Sequence, residues 1–190
     1  MIRSCLALLV LVSTTLAQAP APAAKYPALN IQVGVGTQQR AMPGSFYRKT
    51  MNIDPKFTIE GASRLVPLPA AEATMMIITM DTAAKYKAGD EVYKVHAVET
   101  IPVPEAPNGN RRQFQFGEST VTFDSYRDSS NVGGEVYKFY VFAMRDAATK
   151  ELVDFKTNNQ SLLTYVKTNP DKRAELLALT AGSKFPARFK

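Results

Sequence analysis

The sequence has little of the chemistry on which most catalytic and metal sites are built. Its 190 residues include one cysteine, one histidine and no tryptophan. The single histidine, His96, cannot form a zinc site or a Ser-His-Asp triad without partners, and no second histidine exists to share the work. No nucleophile elbow, phosphate loop or dinucleotide fingerprint occurs in the required strand–helix context. The sequence therefore predicts no cofactor and no metal site, and it favours a non-catalytic role over an enzymatic one.

The charge pattern argues against nucleic acid as a partner. The chain carries a net charge of +6 at neutral pH. Its basic residues alternate with acidic ones and do not form the Lys/Arg runs that are typical of nucleic-acid-binding proteins. A mild attraction to an anionic envelope is compatible with this pattern, and a solvated protein surface explains it equally well.

The first residues predict export from the cytoplasm. Arg3 is followed by an apolar run at 6–12 and then by small residues, an order typical of a secretory signal peptide. We expect a signal peptide over 1–17, a Pro/Ala spacer over 18–25 and a single domain over 26–190 that is secreted, periplasmic or at the cell surface. Cys5 would leave with the signal peptide. The mature chain would then have no thiol, no disulfide and no transmembrane segment.

The stretch 135–156 predicts a β-hairpin around which the rest of the chain is organised. Residues 136–144 are almost all β-branched, aromatic or otherwise apolar. Alternation divides its side chains into two faces, Tyr137, Phe139, Val141 and Ala143 on one and Val136, Tyr140, Phe142 and Met144 on the other. Because both faces are apolar, we expect a central strand with a second sheet on one side and a helix on the other. Residues 73–82 predict a second strand of this kind.

Several positions predict irregular strands. Gly34 and Gly36 indicate a bulge or a strand end, since glycine weakens a strand interior. Pro55 cannot donate to a ladder, so it predicts an edge strand or a corner between two strands. The apolar parity changes between the pair Phe114 and Phe116 and the pair Val121 and Phe123, which predicts a bulge or tight turn at 117–119.

Residues 92–101 alternate as an amphipathic strand. Alternation places Val95 and Ala97 on its apolar face and His96 on its polar face. A histidine on a polar face without ligand partners is an ordinary surface residue, so the pattern itself assigns it no catalytic or metal-binding role.

The C-terminal part of the chain predicts two short helices within 160–181. Asn159 can cap the first helix, and Asn169 with Pro170 starts the second, which Gly182 ends. The fold class that follows is mainly β, an antiparallel β-sandwich with a short C-terminal helical pair. It is immunoglobulin-like in architecture by analogy only, because the Cys…Trp…Cys core of that fold is missing.

Two long polar loops are the predicted binding surfaces. They span residues 102–112 and 124–134, and loops on a rigid sandwich commonly carry recognition. The candidate ligand- or partner-binding residues are Arg111, Arg112, Tyr126, Arg127 and Asp128. The second loop also offers oxygen ligands for calcium, but it does not fit the spacing of a calcium-binding loop, and polar turn composition explains it equally well.

These features predict an exported, non-catalytic binding or structural module of the cell envelope. Its expected partner is a protein or glycan of the envelope, and the sequence leaves the oligomeric state open. The alternative is a carbohydrate-active protein that binds glycans or hydrolyses them with paired carboxylates. The candidates for stacking on a sugar ring are Tyr126, Tyr137 and Tyr140, and the candidate carboxylates are Glu99, Glu118 and Asp124.

Overall fold

The computed structural model describes residues 26, 28–125 and 133–189. The predicted signal peptide and spacer lie outside these residues. Within them the chain forms eight strands, three α-helices and a closing 3-10 turn. Their bounds are β1 Leu29–Ala41, β2 Arg48–Gly61, β3 Ala71–Asp81, α1 Thr82–Ala88, β4 Tyr93–Val103, β5 Arg112–Gln115, β6 Ser119–Asp124, β7 Glu135–Asp146, β8 Leu152–Thr157, α2 Gln160–Thr168, α3 Pro170–Leu177 and the 3-10 turn Ala187–Phe189.

The strands form two antiparallel sheets of four strands each. In the first sheet β1 pairs with β2, and the other side of β2 pairs with β6 and β5 in succession. The second sheet has the order β4-β3-β7-β8, so the two strands with apolar residues on both faces lie at its centre. The predicted hairpin is β7–β8. The mainly β, sandwich-like fold with short C-terminal helices is confirmed.

The principal core lies between the two sheets. Phe57 of β2 packs against Phe142 of β7, with ring centroids 5.0 Å apart, and both side chains are fully buried. Met75 and Ile77 of β3 face the same core. Burial of such large side chains from both sheets supplies the main driving force for this packing.

The outer face of the second sheet is covered by the C-terminal part of the chain. Leu162 and Val166 of α2 and Leu176 of α3 are fully buried against it. Residues 182–185 then run along the free edge of β4. Backbone hydrogen bonds of 2.8–2.9 Å join Gly182, Ser183 and Phe185 to Tyr93 and Val95. The C-terminal segment thus protects the start of this edge, at Tyr93–Val95.

Pro55 lies inside the central strand β2, and the predicted edge or corner there is wrong. β6 pairs with β2 at residues 48–53 and β5 pairs with it at 56–59. Pro55 faces the break between them, where its missing N–H removes no ladder bond. Its carbonyl accepts the N–H of Phe116 at 3.0 Å across this break.

The glycines of β1 do not interrupt the strand, so the bulge or strand end predicted there is also wrong. Gly34 pairs with Lys56 and Gly36 with Asp54, within one continuous register from Leu29 to Ala41. The break predicted at 117–119 is confirmed, since β5 ends at Gln115 and β6 begins at Ser119.

Bulges in β4 and β7 change the faces that alternation predicts. His96 and Lys138 are each skipped in the register with β3, so each is an extra residue in its strand. Tyr137 consequently packs toward the core between the sheets and not on the helix-covered face. Val95 and Ala97, predicted to share a face, lie on opposite faces of the sheet.

Candidate functional site

Four polar side chains from neighbouring strands converge at one end of the second sheet. The Glu135 carboxylate accepts hydrogen bonds from Lys94 Nζ at 2.9 Å and from Thr79 Oγ1 at 2.8 Å. His96 Nδ1 lies 3.4 Å from Glu135 Oε2. We refer to Thr79, Lys94, His96 and Glu135 as the Glu135 cluster. It brings the only histidine of the sequence beside a carboxylate that comes 39 residues later in the chain.

The cluster is partly enclosed. The Thr79 side chain is fully buried, and its hydrogen bond to Glu135 satisfies a hydroxyl that water does not reach. The Glu135 and His96 side chains are 26% and 22% exposed, whereas Lys94 is 46% exposed. The cluster therefore has a dry base at Thr79 and an accessible rim at Lys94 and His96.

The electrostatics keep Glu135 ionised. Burial by itself raises the pKa of this carboxyl, but hydrogen bonds from Lys94 and Thr79 and the charges of Lys94 and His96 outweigh burial, so the pKa is lowered from its ordinary value. A carboxylate held in this way is an acceptor of hydrogen bonds at neutral pH. It is not suited to act as a general acid, which needs a raised pKa.

Gly134 positions Glu135 against the first sheet. It has φ of +89°, and a Cβ atom at this position would lie 2.0 Å from the carbonyl oxygen of Thr122 in β6. Only glycine fits both the left-handed backbone and this close approach. The Gly134 carbonyl also accepts the N–H of Thr82 at 3.0 Å, which joins the start of α1 to the same point.

A cleft of about 300 Å³ opens beside the cluster. It lies where β6 of the first sheet passes β4 and β7 of the second. Its lining consists of Lys94, His96, Thr120, Val121, Thr122, Gly134 and Glu135. The volume is at the small end of the range for small-molecule sites. The lining combines the Lys94 ammonium group, the His96 imidazole, a carboxylate acceptor and two hydroxyl-bearing threonines, which suits a small hydroxyl-rich ligand.

The first predicted binding loop ends at one end of the first sheet, and the second begins at the opposite end. Arg112 pairs with Ile59 and Asp124 pairs with Arg48. These two positions of β2 are eleven residues apart, or roughly 37 Å along an antiparallel strand. The Glu135 cluster lies beside the second loop, because β7 begins immediately after it.

Arg112 has structural contacts of its own. Its Nη1 donates to the carbonyl oxygen of Pro104 at 2.8 Å, and its guanidinium carbon lies 5.0 Å from the centroid of the Phe114 ring. Arg111 is exposed beside it. Tyr126, Arg127 and Asp128 lie outside the described residues. The binding role predicted for these five residues stays a prediction.

A larger pocket lies at the end of the molecule where the first loop begins. It has a volume of about 600 Å³ and is lined by Pro67, Leu68, Pro69, Glu105, Ala106 and Pro107. The three prolines have no N–H to donate, and Glu105 is the one charged side chain in this lining. The pocket therefore offers few groups that could orient a polar ligand.

The tyrosines proposed for sugar stacking do not form an exposed platform. Tyr140 is 9% exposed, and burial raises the pKa of Tyr137 to about 12. Both pack toward the core between the sheets. Tyr126 lies outside the described residues. Tyr140 is therefore too buried to stack on a ligand in solution, and Tyr137 is half-buried against the core.

Glu99 and Asp124, two of the three candidate carboxylates, each have a partner of their own. Glu99 Oε2 accepts the N–H of Gly117 at 2.6 Å, and Asp124 lies 3.5 Å from Arg48 Nε. Glu118 lines a groove of about 260 Å³ on the outer face of the first sheet, together with Asp54. The remaining residues of that groove are Gly36, Thr37, Gln38 and Asn52. The structure thus places Glu118 in the same groove as Asp54, a carboxylate that the sequence did not indicate.

Sequence reasoning missed the Glu135 cluster for a physical reason. Thr79 lies in a strand read as core, Lys94 in the polar half of an amphipathic strand, and Glu135 at the start of the central hairpin. No spacing in the sequence connects them, because antiparallel pairing of β4, β3 and β7 is what brings them together. The sequence-level signal is Gly133-Gly134 directly before Glu135, which indicates close backbone approach.

Two further properties concern the described residues. None of the helices in ranges 28–125 and 133–189 is long and apolar enough to cross a bilayer. The same ranges contain no group of three or more histidine, cysteine or acidic side chains that could hold a metal ion.

Comparisons with known proteins give no family. No protein-family model and no curated protein matches the chain. Solved structures resemble it distantly. One is a crystal structure from Akkermansia muciniphila, with 10% identity and a TM-score of 0.32, covering 70% of this chain and 73% of that one. Another is Northeast Structural Genomics Consortium target SoR45, with 11% identity and a TM-score of 0.28, covering 68% and 84%. Likenesses this weak carry no argument about function.

Proposed function

We propose that the chain is an exported, non-catalytic binding module of the cell envelope, and that it binds a hydroxyl-rich ligand, such as an envelope glycan, in the cleft beside the Glu135 cluster. The observation that carries this proposal is the set of donors held around Glu135. A carboxylate fixed by Lys94 and Thr79 beside His96 is preorganised to accept a hydrogen bond, and its lowered pKa keeps it ionised.

The cleft supports recognition of hydroxyl groups in particular. Sugar hydroxyls both donate and accept hydrogen bonds, and the lining presents donors at Lys94, an acceptor at Glu135 and hydroxyls at Thr120 and Thr122. Export, predicted from the N-terminal sequence, would place such a module among the glycans of the envelope.

A glycan array probed with the purified full-length chain tests this proposal. We expect wild-type protein to bind one class of neutral or acidic oligosaccharide. Glu135→Gln should weaken that binding by roughly ten- to a hundredfold, the size expected for the loss of a hydrogen bond to a charged group. Glu105→Gln, in the pocket at the other end of the molecule, is the matched control and should leave binding unchanged.

Two results would refute the proposal. One is wild-type protein that binds no oligosaccharide on the array. The other is an equal effect of the Glu135 and Glu105 substitutions, which would place the ligand elsewhere. Circular dichroism of each variant separates loss of binding from loss of folding.

The groove that contains Asp54 and Glu118 favours hydrolysis of a glycan as the second candidate function. Two carboxylates and the amides of Gln38 and Asn52 line it, and a pair of carboxyl groups is what glycoside hydrolysis requires. Release of reducing sugar by wild-type protein, abolished by both Asp54→Asn and Glu118→Gln, would support this candidate. Absence of hydrolysis across a panel of envelope polysaccharides would exclude it.

A further inference from the structure

The edges of the two sheets differ in their protection. Residues 182–185 cover the start of β4, at Tyr93–Val95, with backbone hydrogen bonds, and the rest of that strand contains a bulge at His96 and a proline, Pro102. The other outer strands β5, β6 and β8 are only four, six and six residues long. Short or covered edges are the usual means by which a protein avoids pairing with another chain.

β1 is the exception among the described strands. It is thirteen residues long, and its register with β2 is continuous from end to end. In the described part of the chain β1 pairs with β2 alone. Within that part, one hydrogen bond reaches the β1 backbone from outside the β1–β2 hairpin. It is a long one, donated by the Tyr140 hydroxyl to the Val33 carbonyl at 3.5 Å. β1 has no proline, no bulge and a single charged residue, Arg40. Apart from Arg40, the features that normally block an edge are therefore missing here.

The sequence of β1 is complementary to itself in the antiparallel direction. The strand runs from Leu29 to Ala41, so its central residue is Val35. A two-fold axis through Val35 pairs two copies along the full strand length. The opposed pairs are then Leu29 with Ala41, Asn30 with Arg40, Ile31 with Gln39, Gln32 with Gln38, Val33 with Thr37, and Gly34 with Gly36. No like charges oppose one another, because each Arg40 faces an asparagine.

The apolar side of β1 is also incompletely covered. Ile31 is buried, but Val33 and Val35 on the same face are only half-buried, and Thr37 is exposed. A neighbouring strand would cover these side chains further, and it would satisfy the outward-facing N–H and C=O groups with about a dozen backbone hydrogen bonds.

We propose that two copies of the chain dimerise by antiparallel pairing of β1 with β1 about a two-fold axis at Val35, which joins the two first sheets into one continuous sheet of eight strands. This proposal goes beyond the proposed function and does not depend on it. The interface is isologous, with the same strand used by both copies, and it removes the long free edge.

Paired charge substitutions at the glycines test the register. Gly34 has open space where a Cβ would be, and Gly36 would meet Asp54 only at ordinary contact distance, so both positions accept side chains. In the proposed dimer Gly34→Lys with Gly36→Lys opposes like charges at two places, whereas Gly34→Lys with Gly36→Glu opposes opposite charges there. Sedimentation of the full-length chain should give a dimer dissociation constant roughly tenfold or more higher for the first double variant than for the second.

Cysteine cross-linking gives an independent measurement. In a Cys5→Ser background, Val35→Cys should form a disulfide-linked dimer under mild oxidation, because the two Val35 residues face one another. Thr37→Cys is the matched control. It faces Val33 of the second copy, and the two Thr37 residues are roughly 14 Å apart along the strands, too far for a disulfide.

The proposal is overturned if the wild-type chain is monomeric at every concentration measured, or if the two charge variants associate equally. It is also overturned if Thr37→Cys cross-links as readily as Val35→Cys. A monomer whose β1 amides are strongly protected from hydrogen exchange would mean that another segment of the same chain covers this edge, and this too would overturn the proposal.

Discussion

Replacement of Phe185 by alanine tests whether the C-terminal segment is part of the folded core. Phe185 is fully buried and makes an edge-to-face contact with Phe139 of β7, with ring centroids 5.4 Å apart. A second contact, with Phe189, has a centroid distance of 5.9 Å. The Phe185 N–H also donates to the Tyr93 carbonyl at 2.9 Å, and this backbone bond survives the substitution. The change therefore removes the ring and leaves the local pairing with β4 in place.

The expected loss of stability is about 4 kcal/mol. Replacing a fully buried phenylalanine by alanine costs about 3–5 kcal/mol, because transfer free energy is lost and a cavity remains. A domain of this size has a free energy of unfolding of roughly 5–15 kcal/mol. The variant should therefore still fold, but with a much smaller free energy of unfolding. Urea denaturation followed by far-ultraviolet circular dichroism measures the difference, and the melting temperature should fall by roughly 8–16 °C.

Phe46→Ala is the matched control for this measurement. Phe46 lies between β1 and β2 with its side chain fully exposed, so its truncation should change the free energy of unfolding by less than about 0.5 kcal/mol. The reasoning would be refuted if Phe185→Ala lost less than about 1 kcal/mol, or if the two variants lost the same amount. Either result would mean that the segment after Gly182 does not cover the second sheet.

Two further predictions concern the Glu135 cluster. Gly134→Ala should lower the free energy of unfolding by about 2 kcal/mol or more, because the new Cβ atom would meet the Thr122 carbonyl. Gly44 has a similar positive φ but open space around it, so Gly44→Ala should lower the free energy of unfolding by only about 1 kcal/mol in the same urea titration. Glu135→Gln should be destabilising at neutral pH and lose its effect in acid. The folded-state pKa of Glu135 is lowered from 4.5, so its stabilisation is present above that value and disappears as the pH falls through the lowered pKa. Unfolding curves at pH values above and well below 4.5 check this, and a pH-independent difference would contradict it.

The architecture could be predicted because hydrophobic patterning acts over single elements. Strands apolar on both faces can be stable only between two covering layers, so residues 136–144 alone predicted a covering layer on each face of the sheet. The helix starts at Asn159 and Pro170 are likewise local signals, since capping and a fixed proline φ act within one turn.

Details that depend on a neighbouring strand could not be predicted. Pro55 is tolerated in a central strand only because β5 and β6 leave a break opposite it, and nothing near Pro55 in the sequence indicates that break. The bulges at His96 and Lys138 are defined by their register with β3. Strict alternation therefore assigned Tyr137 to the wrong face, since a single extra residue exchanges every face beyond it.

Dependence on neighbouring strands also explains why the sequence indicated two loops as the binding site, whereas the structure indicates a cleft. Composition identifies loops, because turn residues cluster in them. A cleft between sheets depends on which strands approach each other, and Gly134, directly before β7, forms a backbone bridge with Phe123 of β6. Gly133-Gly134 belongs both to the second predicted loop and to the lining region of the cleft. The sequence indicates a turn there, but only the paired strand β6 shows that the glycines allow a close backbone approach.

The two proposals have compatible geometry, and this has a consequence for affinity. β1 and β6 lie on opposite sides of β2, so pairing through β1 leaves the cleft beside β6 and Glu135 open. A dimer with its two-fold axis at Val35 would carry two such clefts related by symmetry on one continuous sheet. Binding of the second cleft to the same envelope polymer would then be intramolecular, and the avidity would rise without any new contact. Substitutions that separate the dimer should accordingly weaken binding to a polymer and leave binding to a short oligosaccharide unchanged, whereas substitutions at Glu135 should weaken both.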